Sequence, residues 1–444
     1  MAKDNQKNLA REIITKYDWF IFGVALAGWS FASMDLNLYS INLPFILEDF
    51  HISLQLAGVM TSIIFAGATA VVWALGPLLD SYGRKTVWQI SLLFTALFTG
   101  FTIFATTAAL LTLVRVLADG FSYIEFPTGI TIANEQFPEK HRGSMYGWVQ
   151  GGFPLGYFVA VMTSYMVEPY FGGPYVGWRY AFLFGIIPIV VVIIMRLWVK
   201  EPERADYMLK AKKLVKEGKL EEAKKLLEKY NMDLSQIAKI TYKQMFTDPK
   251  LKKQNIVTTL AELSHEIATP ALFFFTSTAL IYYKHFPSNL VFITLAIATF
   301  LAFLGYGIMG HIGQRIGRKK GSTIIGLLGG TSVIFFALSR GYLETMISTL
   351  LFYPLVLSWN GTWWSYIADT FPTRVRGTAE SWQVGLNDFA WIIGSFIYGF
   401  VITSIGFAST YILLAAIPVI LGAIIIWIFG KDADPNARLE DIVW

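Results

Sequence analysis

Twelve apolar runs, each about as long as a bilayer is thick, govern what this chain can fold into. A spanning helix needs about 20 mostly apolar residues. The runs are 19–47, 54–79, 86–107, 108–136, 143–166, 178–199, 256–283, 288–310, 321–338, 342–368, 378–404 and 408–429. Across 444 residues only 15% are charged and 55% are hydrophobic, whereas a soluble chain carries about 25% charged residues. That composition excludes a string of soluble domains, a disordered chain and a collagen. The absence of cysteine excludes a disulfide scaffold, thiolate metal sites and thiol catalysis. Residues 1–18 are polar and mixed in charge, and the first apolar run is too long for an h-region, so no cleavable signal peptide is read. An all-α membrane protein of twelve transmembrane helices is predicted.

The net charge is +5, but its distribution matters more than its sum. Cytoplasmic loops carry an excess of Lys and Arg. With the N-terminus inside, the inner loops hold Arg84, Lys85, Lys140, Arg142, Arg315, Arg318, Lys319, Lys320, Arg374 and Arg376. The N-terminal tail adds Lys3, Lys7, Arg11 and Lys16, while the outer side keeps Arg179, Lys284 and Arg340. Both termini are therefore expected in the cytoplasm, with the chain in the plasma membrane. Each basic cluster abuts a membrane-length run, which reads as topology and not as nucleic-acid binding. The polar stretch 200–253 is rich in Lys and Glu and is predicted to form short helices broken at Gly218. It reads as a solvated tether, or as an amphipathic element on the inner leaflet. The expected division is an N-terminal six-helix bundle over 1–199, a cytoplasmic linker over 200–255, and a C-terminal six-helix bundle with tail over 256–444.

Two loop motifs recur at one offset. Gly76, Gly83, Arg84 and Lys85 follow the second run, and Gly310, Gly317, Arg318 and Lys319 follow the eighth, displaced by the same interval at every position. Phe137, Pro138, Arg142 and Gly143 follow the fourth run, and Phe371, Pro372, Arg376 and Gly377 follow the tenth, displaced by that interval again. Two separate loops matching at one offset imply a six-helix unit used twice, in parallel orientation, with a cavity between the halves near the midplane.

The run Gly76-x-x-x-Asp80-x-x-Gly83-Arg84-Lys85 resembles the loop signature of the major facilitator superfamily. The resemblance covers the whole chain, although Gln314 stands where Asp80 would repeat. It implies that Asp80, Arg84 and their echoes Gly317 and Arg318 hold a gate on the inner face. Within that superfamily the sugar porters look similar. Arg115 precedes the Arg142-Gly143 pair at the spacing of their fourth helix, Glu135 opens E-x-x-P-x-x-x-R-G, and Asp369 opens its echo ending at Arg376-Gly377. Glu125-x-Pro127 instead resembles metabolite symporters and relatives of the synaptic-vesicle-protein type. The paired glutamines of sugar porters on the seventh helix have no counterpart among Glu262, Ser264, His265 and Glu266.

An ionisable residue inside a span is a functional candidate by default. Asp35 lies about 16 Å from the outer end of the first run at 1.5 Å per residue, and Arg115 about 10 Å deep in the fourth. Asp119 is one turn further, so the three could meet. Arginine has no neutral form and needs a carboxylate, and an acid beside it can alternate between ionised and protonated states. In the sugar porters the matching Asp and Arg couple the proton; the alternative is a static bridge between helices. Glu262 and Glu266 share a face at i,i+4, which suits proton binding or recognition of a cationic group, with Glu262 near enough to the inner face to reach water. His265-Glu266 is not H-E-x-x-H, because residue 269 is Thr, so no metal site is read.

The resemblance also implies substrate contacts. Gln150 and Asn387 fall where sugar porters carry substrate-binding glutamines, and Trp364 falls where a substrate-stacking tryptophan stands. Asp388 and Asn360 lie beside these, and Gln383, Trp359 and Trp363 are near in sequence; Glu125, where Pro127 kinks the fourth helix and exposes carbonyls to a cavity, reads as a substrate contact or as packing. Singly, each Trp also fits interfacial anchoring. Gly147, Gly151, Gly152, Pro154 and Gly156 on the fifth run allow close helix approach. The reading is a monomeric secondary transporter without a cofactor, using a proton to carry a sugar, polyol or organic acid inward, with sodium the alternative coupling ion. A uniporter, an exporter of organic solutes and a non-transporting membrane sensor are the alternatives. No nucleophile–base pair or catalytic domain argues for an enzyme.

Overall fold

The structure, a computed structural model, describes residues 14–82, 84–124, 128–129, 136–137, 139–200, 210–211, 213–215, 217–228, 245–371 and 373–432. Among these residues every regular element is a helix. In hydrocarbon no water serves the backbone amides, so a spanning segment must satisfy them internally. The fold is the predicted all-α bundle of twelve spans in two six-helix repeats.

Eight runs form single helices long and apolar enough to cross a membrane. The first, Lys16–Asp49, opens on a capping box in which Thr15 and Asp18 bond each other's backbone amides. The two most apolar, Pro174–Trp198 and Phe407–Phe429, have mean hydropathies of 2.5 and 2.9, yet only 33% of each apolar window is buried in the protein. Side chains such as Phe104, Leu113, Ile187 and Trp427 are exposed, an arrangement that lipid requires and water would not tolerate.

Among the described residues the remaining four runs are not single long apolar helices. The fourth is described as Ala108–Tyr123. The fifth divides at Gly151 into Glu139–Gln150 and Gly152–Val167. The seventh begins at Pro249, capped by Asp248, and ends its first segment at Glu266. A π-turn, Pro270–Phe274, then leads into Thr276–Tyr282. The tenth breaks between Gly341–Leu357 and Asn360–Thr370, just after Pro354. Proline removes a backbone donor and crowds the preceding turn, and a broken helix at membrane depth is tolerated where it lines a cavity.

Short punctuation separates the adjoining runs. Thr107 caps the fourth helix by accepting from the Leu110 amide, and Gly406 at φ +81° separates the eleventh helix, Thr373–Ile405, from the twelfth. In the linker, Gly218 at φ +78° ends a helical turn ahead of Leu220–Glu228, the predicted break.

The two halves meet along the second and eleventh helices, the fifth and eighth, and the first and seventh. Small residues permit the closest approaches. A Cβ on Gly156 would collide with the Ser30 carbonyl of the first helix, and one on Gly58 would lie 2.7 Å from the Ser395 carbonyl in the other half. Of the glycines of the fifth run, Gly152 and Gly156 face the first helix and Gly147 and Gly151 the eighth, the close helix approach their spacing predicts.

Candidate functional site

The three predicted charges of the N-terminal half do meet. Asp35 and Arg115 are 0% exposed and Asp119 is 1% exposed. Arg115 donates from Nη1 to Asp35 Oδ1 and from Nη2 to Asp35 Oδ2, both at 3.0 Å, and from Nη2 to the Asp35 carbonyl at 3.1 Å. The same Nη2 donates to Asp119 at the i+4 position. Thr99 of the third helix donates to Asp35 Oδ1 at 2.6 Å, and the guanidinium carbon lies 5.0 Å from the Phe182 ring centre on the sixth. Arginine stays charged, so with both carboxylates ionised the cluster carries one net negative charge. A single added proton makes it neutral.

Residues 115, 119 and 123 form one stripe of the fourth helix at i,i+4 spacing. Tyr123, the last of them, lines a cavity between the halves. Gln150, Glu266, Asn360, Trp364, Asn387 and Asp388 all line it too, so six of the predicted substrate contacts come together. Glu125 lies outside the described residues. Sequence reasoning missed Tyr123, Trp29, Phe153, Phe273, Tyr306 and Trp391 as cavity walls. Aromatics recur in nearly every span, and no local signal separates a cavity ring from a lipid-facing one.

The two cavity carboxylates differ. Glu266 is saturated: Oε2 accepts from Thr269 at 2.7 Å and from the Trp391 indole at 2.8 Å. Its Oε1 pairs with His265 at 3.0 Å and accepts from Asn360 at 3.5 Å. Among the described residues Asp388 has a single long bond, from Thr69 at 3.3 Å across the interface between halves. Gln150 Nε2, Asn387 Oδ1 and the Tyr123 hydroxyl have no hydrogen-bond partner among the described residues.

Several neighbours in sequence are not neighbours in the site. Trp359 stacks on His265 with ring centres 4.0 Å apart and on Trp363 at 4.4 Å, both rings turned into the C-terminal half. Gln383 donates to Thr258 at 2.9 Å within that half. Glu262 is fully buried and does not reach water at the inner face, contrary to expectation.

The end of the bundle predicted to face outward is sealed by bonds between the halves. Ser40 donates to the Phe273 carbonyl at 2.8 Å, Ser277 to the Ser40 carbonyl at 2.6 Å, and Tyr282 to the Pro44 carbonyl at 3.0 Å. Gln55 donates to Thr403 at 2.9 Å. The π-turn frees the Phe273 carbonyl, which also accepts from Tyr157 at 3.0 Å.

Among the motif residues, Arg318 pairs with Asp369 and donates to Gln314 at 2.7 Å, tying the loops after the eighth and tenth helices. Gln314 therefore serves Arg318 as the missing acid would. Gly317 adopts φ +94°, a conformation that favours glycine. Lys85 donates to the Leu197 carbonyl at 3.4 Å. Gly76 lies within the second helix, Leu54–Tyr82. Gly83 and Glu135 lie outside the described residues, as do the side chains of Asp80, Arg84, Arg142 and Arg376.

A bundle of two six-helix repeats around a central polar and aromatic cavity, sealed at one end, is the architecture of a membrane carrier for small solutes. The chain belongs to the Major Facilitator Superfamily, whose profile matches residues 24–394. It is similar to a niacin transporter of Acinetobacter baylyi, at 22% identity over 97% of each chain. It is 23% identical to an arabinose-proton symporter of Bacillus subtilis over 92% of this chain and 90% of that one. Among solved structures it resembles the inward-open xylose transporter of E. coli, with TM-score 0.71 and 17% identity over 96% and 99% of the two chains. The protein is a multi-pass membrane transporter of this superfamily, and the relatives it matches are transporters, not enzymes.

Proposed function

We propose that the protein carries a small polar organic solute inward across the plasma membrane together with a proton, both termini being cytoplasmic. The single observation behind this is the buried Asp35–Arg115–Asp119 cluster, in which one arginine serves two carboxylates. A carrier needs a site whose charge changes while solute is bound. Asp35 joins the first helix to the fourth through Arg115, so protonating Asp35 weakens the bond between those helices. Arg115 then keeps Asp119 as its partner, and its fixed charge expels the proton when Asp35 returns. Tyr123 carries the change along the fourth helix to the cavity.

Gln150, Asn387 and Trp364 contact the solute, with Asn360 beside them. Glu266 acts through the Trp391 and Asn360 side chains it holds. Asp388 contacts solute and, through Thr69, senses the opposite half. Residues 1–199 and 256–444 rock as two bodies joined by 200–255, in a monomer, with Arg318, Asp369 and the related motif loops closing the inner face. The outer seal from Ser40 to Tyr282 supports a resting state closed to the outside.

The test is reconstitution in proteoliposomes with an inward proton gradient and an internal pH dye. A solute from a panel of sugars, polyols, organic acids and amines should speed acidification, and Asp35→Asn should abolish that effect. Solute entry down its own gradient without proton movement would make the carrier a uniporter and Asp35–Arg115 a static bridge. Dependence on sodium in place of pH would change the coupling ion.

A further inference from the structure

The cavity described above has an uneven charge. Two carboxylates, Glu266 and Asp388, line it, and no Lys, Arg or His does so among the described residues. Arg115, the cation nearest in sequence to the cavity stripe, is bound on both sides by its own acids. Glu266 is saturated by four protein donors. Among the described residues, one Asp388 oxygen has no hydrogen-bond partner and the other receives only the long bond from Thr69. Asp388 lines the cavity, and among the described residues no cation lines it to answer that carboxylate.

The walls around that carboxylate are rings. Trp391 lies one turn along the same helix, pinned by its indole bond to Glu266. It packs edge-on to Phe274 with centres 5.2 Å apart and to Tyr123 at 6.1 Å. Trp29 and Trp364 line the same space. Ring faces carry partial negative charge and attract cations, and aromatic walls with few polar groups suit a flat ligand. An anionic solute would meet a carboxylate and ring faces in a low-dielectric site, where like charges repel strongly.

Resting on the reading of this cavity as the solute site, we propose that its substrate class is the flat organic cation, a ring-bearing amine whose ammonium pairs with Asp388. The ring lies among Trp29, Tyr123, Trp364 and Trp391, and Gln150 and Asn387 take up polar groups on its far edge.

Three probes of one shape separate the possibilities: tyramine, which is cationic, tyrosol, which is neutral, and 4-hydroxyphenylacetate, which is anionic. Uptake of each is measured in proteoliposomes of the full-length protein, with and without a pH gradient. Tyramine should enter at least tenfold faster than 4-hydroxyphenylacetate. Asp388→Asn should erase that preference and Asp388→Glu should restore it, with melting in detergent used to verify folding of each variant. Equal rates for the cation and the anion in the wild type, no entry of tyramine, or a preference intact in a folded Asp388→Asn variant would each overturn the proposal. Tyramine entry indifferent to the pH gradient would leave the substrate class standing and remove proton coupling. Proton-linked uptake of the anion or of a pentose, with none of tyramine, would do the reverse.

Discussion

Asp119→Asn is the sharpest perturbation of the coupling cluster, because it changes the charge count and little else. In the wild type, one arginine faces two carboxylates, and the pair Arg115–Asp35 alone is already neutral. Removing the second negative charge leaves a neutral cluster that needs no proton. The two 3.0 Å bonds between Arg115 and Asp35 survive, and the asparagine oxygen can still accept from Nη2. Folding is therefore preserved, whereas Arg115→Met would strand two buried acids at a cost of about 3–5 kcal/mol.

The consequence for transport follows from the gradient. Each pH unit supplies about 1.36 kcal/mol per proton, so a two-unit gradient with one proton per solute sustains about hundredfold accumulation. In Asp119→Asn the solute should enter down its own gradient at near wild-type rate and stop at equal concentrations. The assay is isotopic uptake into proteoliposomes with the interior held two pH units above the exterior. A variant that still accumulates solute to within twofold of the wild-type level would refute the charge-count argument.

Three further outcomes are expected. Glu168, just past the fifth span, is buried beside Asn42 and Ser164, which bond each other at 2.9 Å; burial pushes its carboxyl up to about 8. An acid with a raised folded value keeps its proton while the unfolded chain loses it, so stability falls as pH rises from about 4.5 to 8, by up to about 1.4 kcal/mol per unit. Melting in detergent across that range should be steeper for wild type than for Glu168→Gln, and equal slopes would count against the assignment. Gly156→Val should cost several kcal/mol and cut folded yield, since its side chain runs into the Ser30 carbonyl and the Met34 amide of the first helix; a yield like that of wild type would contradict the packing. Ser40→Ala removes donors to the Phe273 and Phe274 carbonyls, and should speed outside labelling of a single cysteine at Gln150 by an impermeant maleimide. The chain has no native cysteine to confuse the readout, and an unchanged rate would place the outer seal elsewhere.

Hydropathy is a property of the chain read in order, so the bundle, its twelve traverses and its repeated unit are legible without coordinates. The constant offset between the halves marked the loop after the eighth helix, where Gly317 turns and Arg318 pairs with Asp369. The depth arithmetic brought Asp35, Arg115 and Asp119 to one level. Less could be read from residues beside a motif. Trp359, Trp363 and Trp364 are nearly adjacent, yet only Trp364 lines the cavity while the other two stack on His265 and on each other. In a soluble helix the polar face announces which side is buried. In a membrane both sides are apolar, so the sequence carries little information on helix rotation.

That difference divides the protein's description. Composition, run length, loop charge and the internal repeat determined by themselves that this is a helical membrane carrier and which buried acids were worth watching. Tertiary structure alone decided that one arginine serves two acids, that Glu266 is spent on Thr269, His265, Trp391 and Asn360, and that Asp388 is left open. A hydrogen bond depends on the rotation and depth of two helices at once. Those are set by glycine contacts and helix breaks between segments far apart in the chain, which no local pattern records.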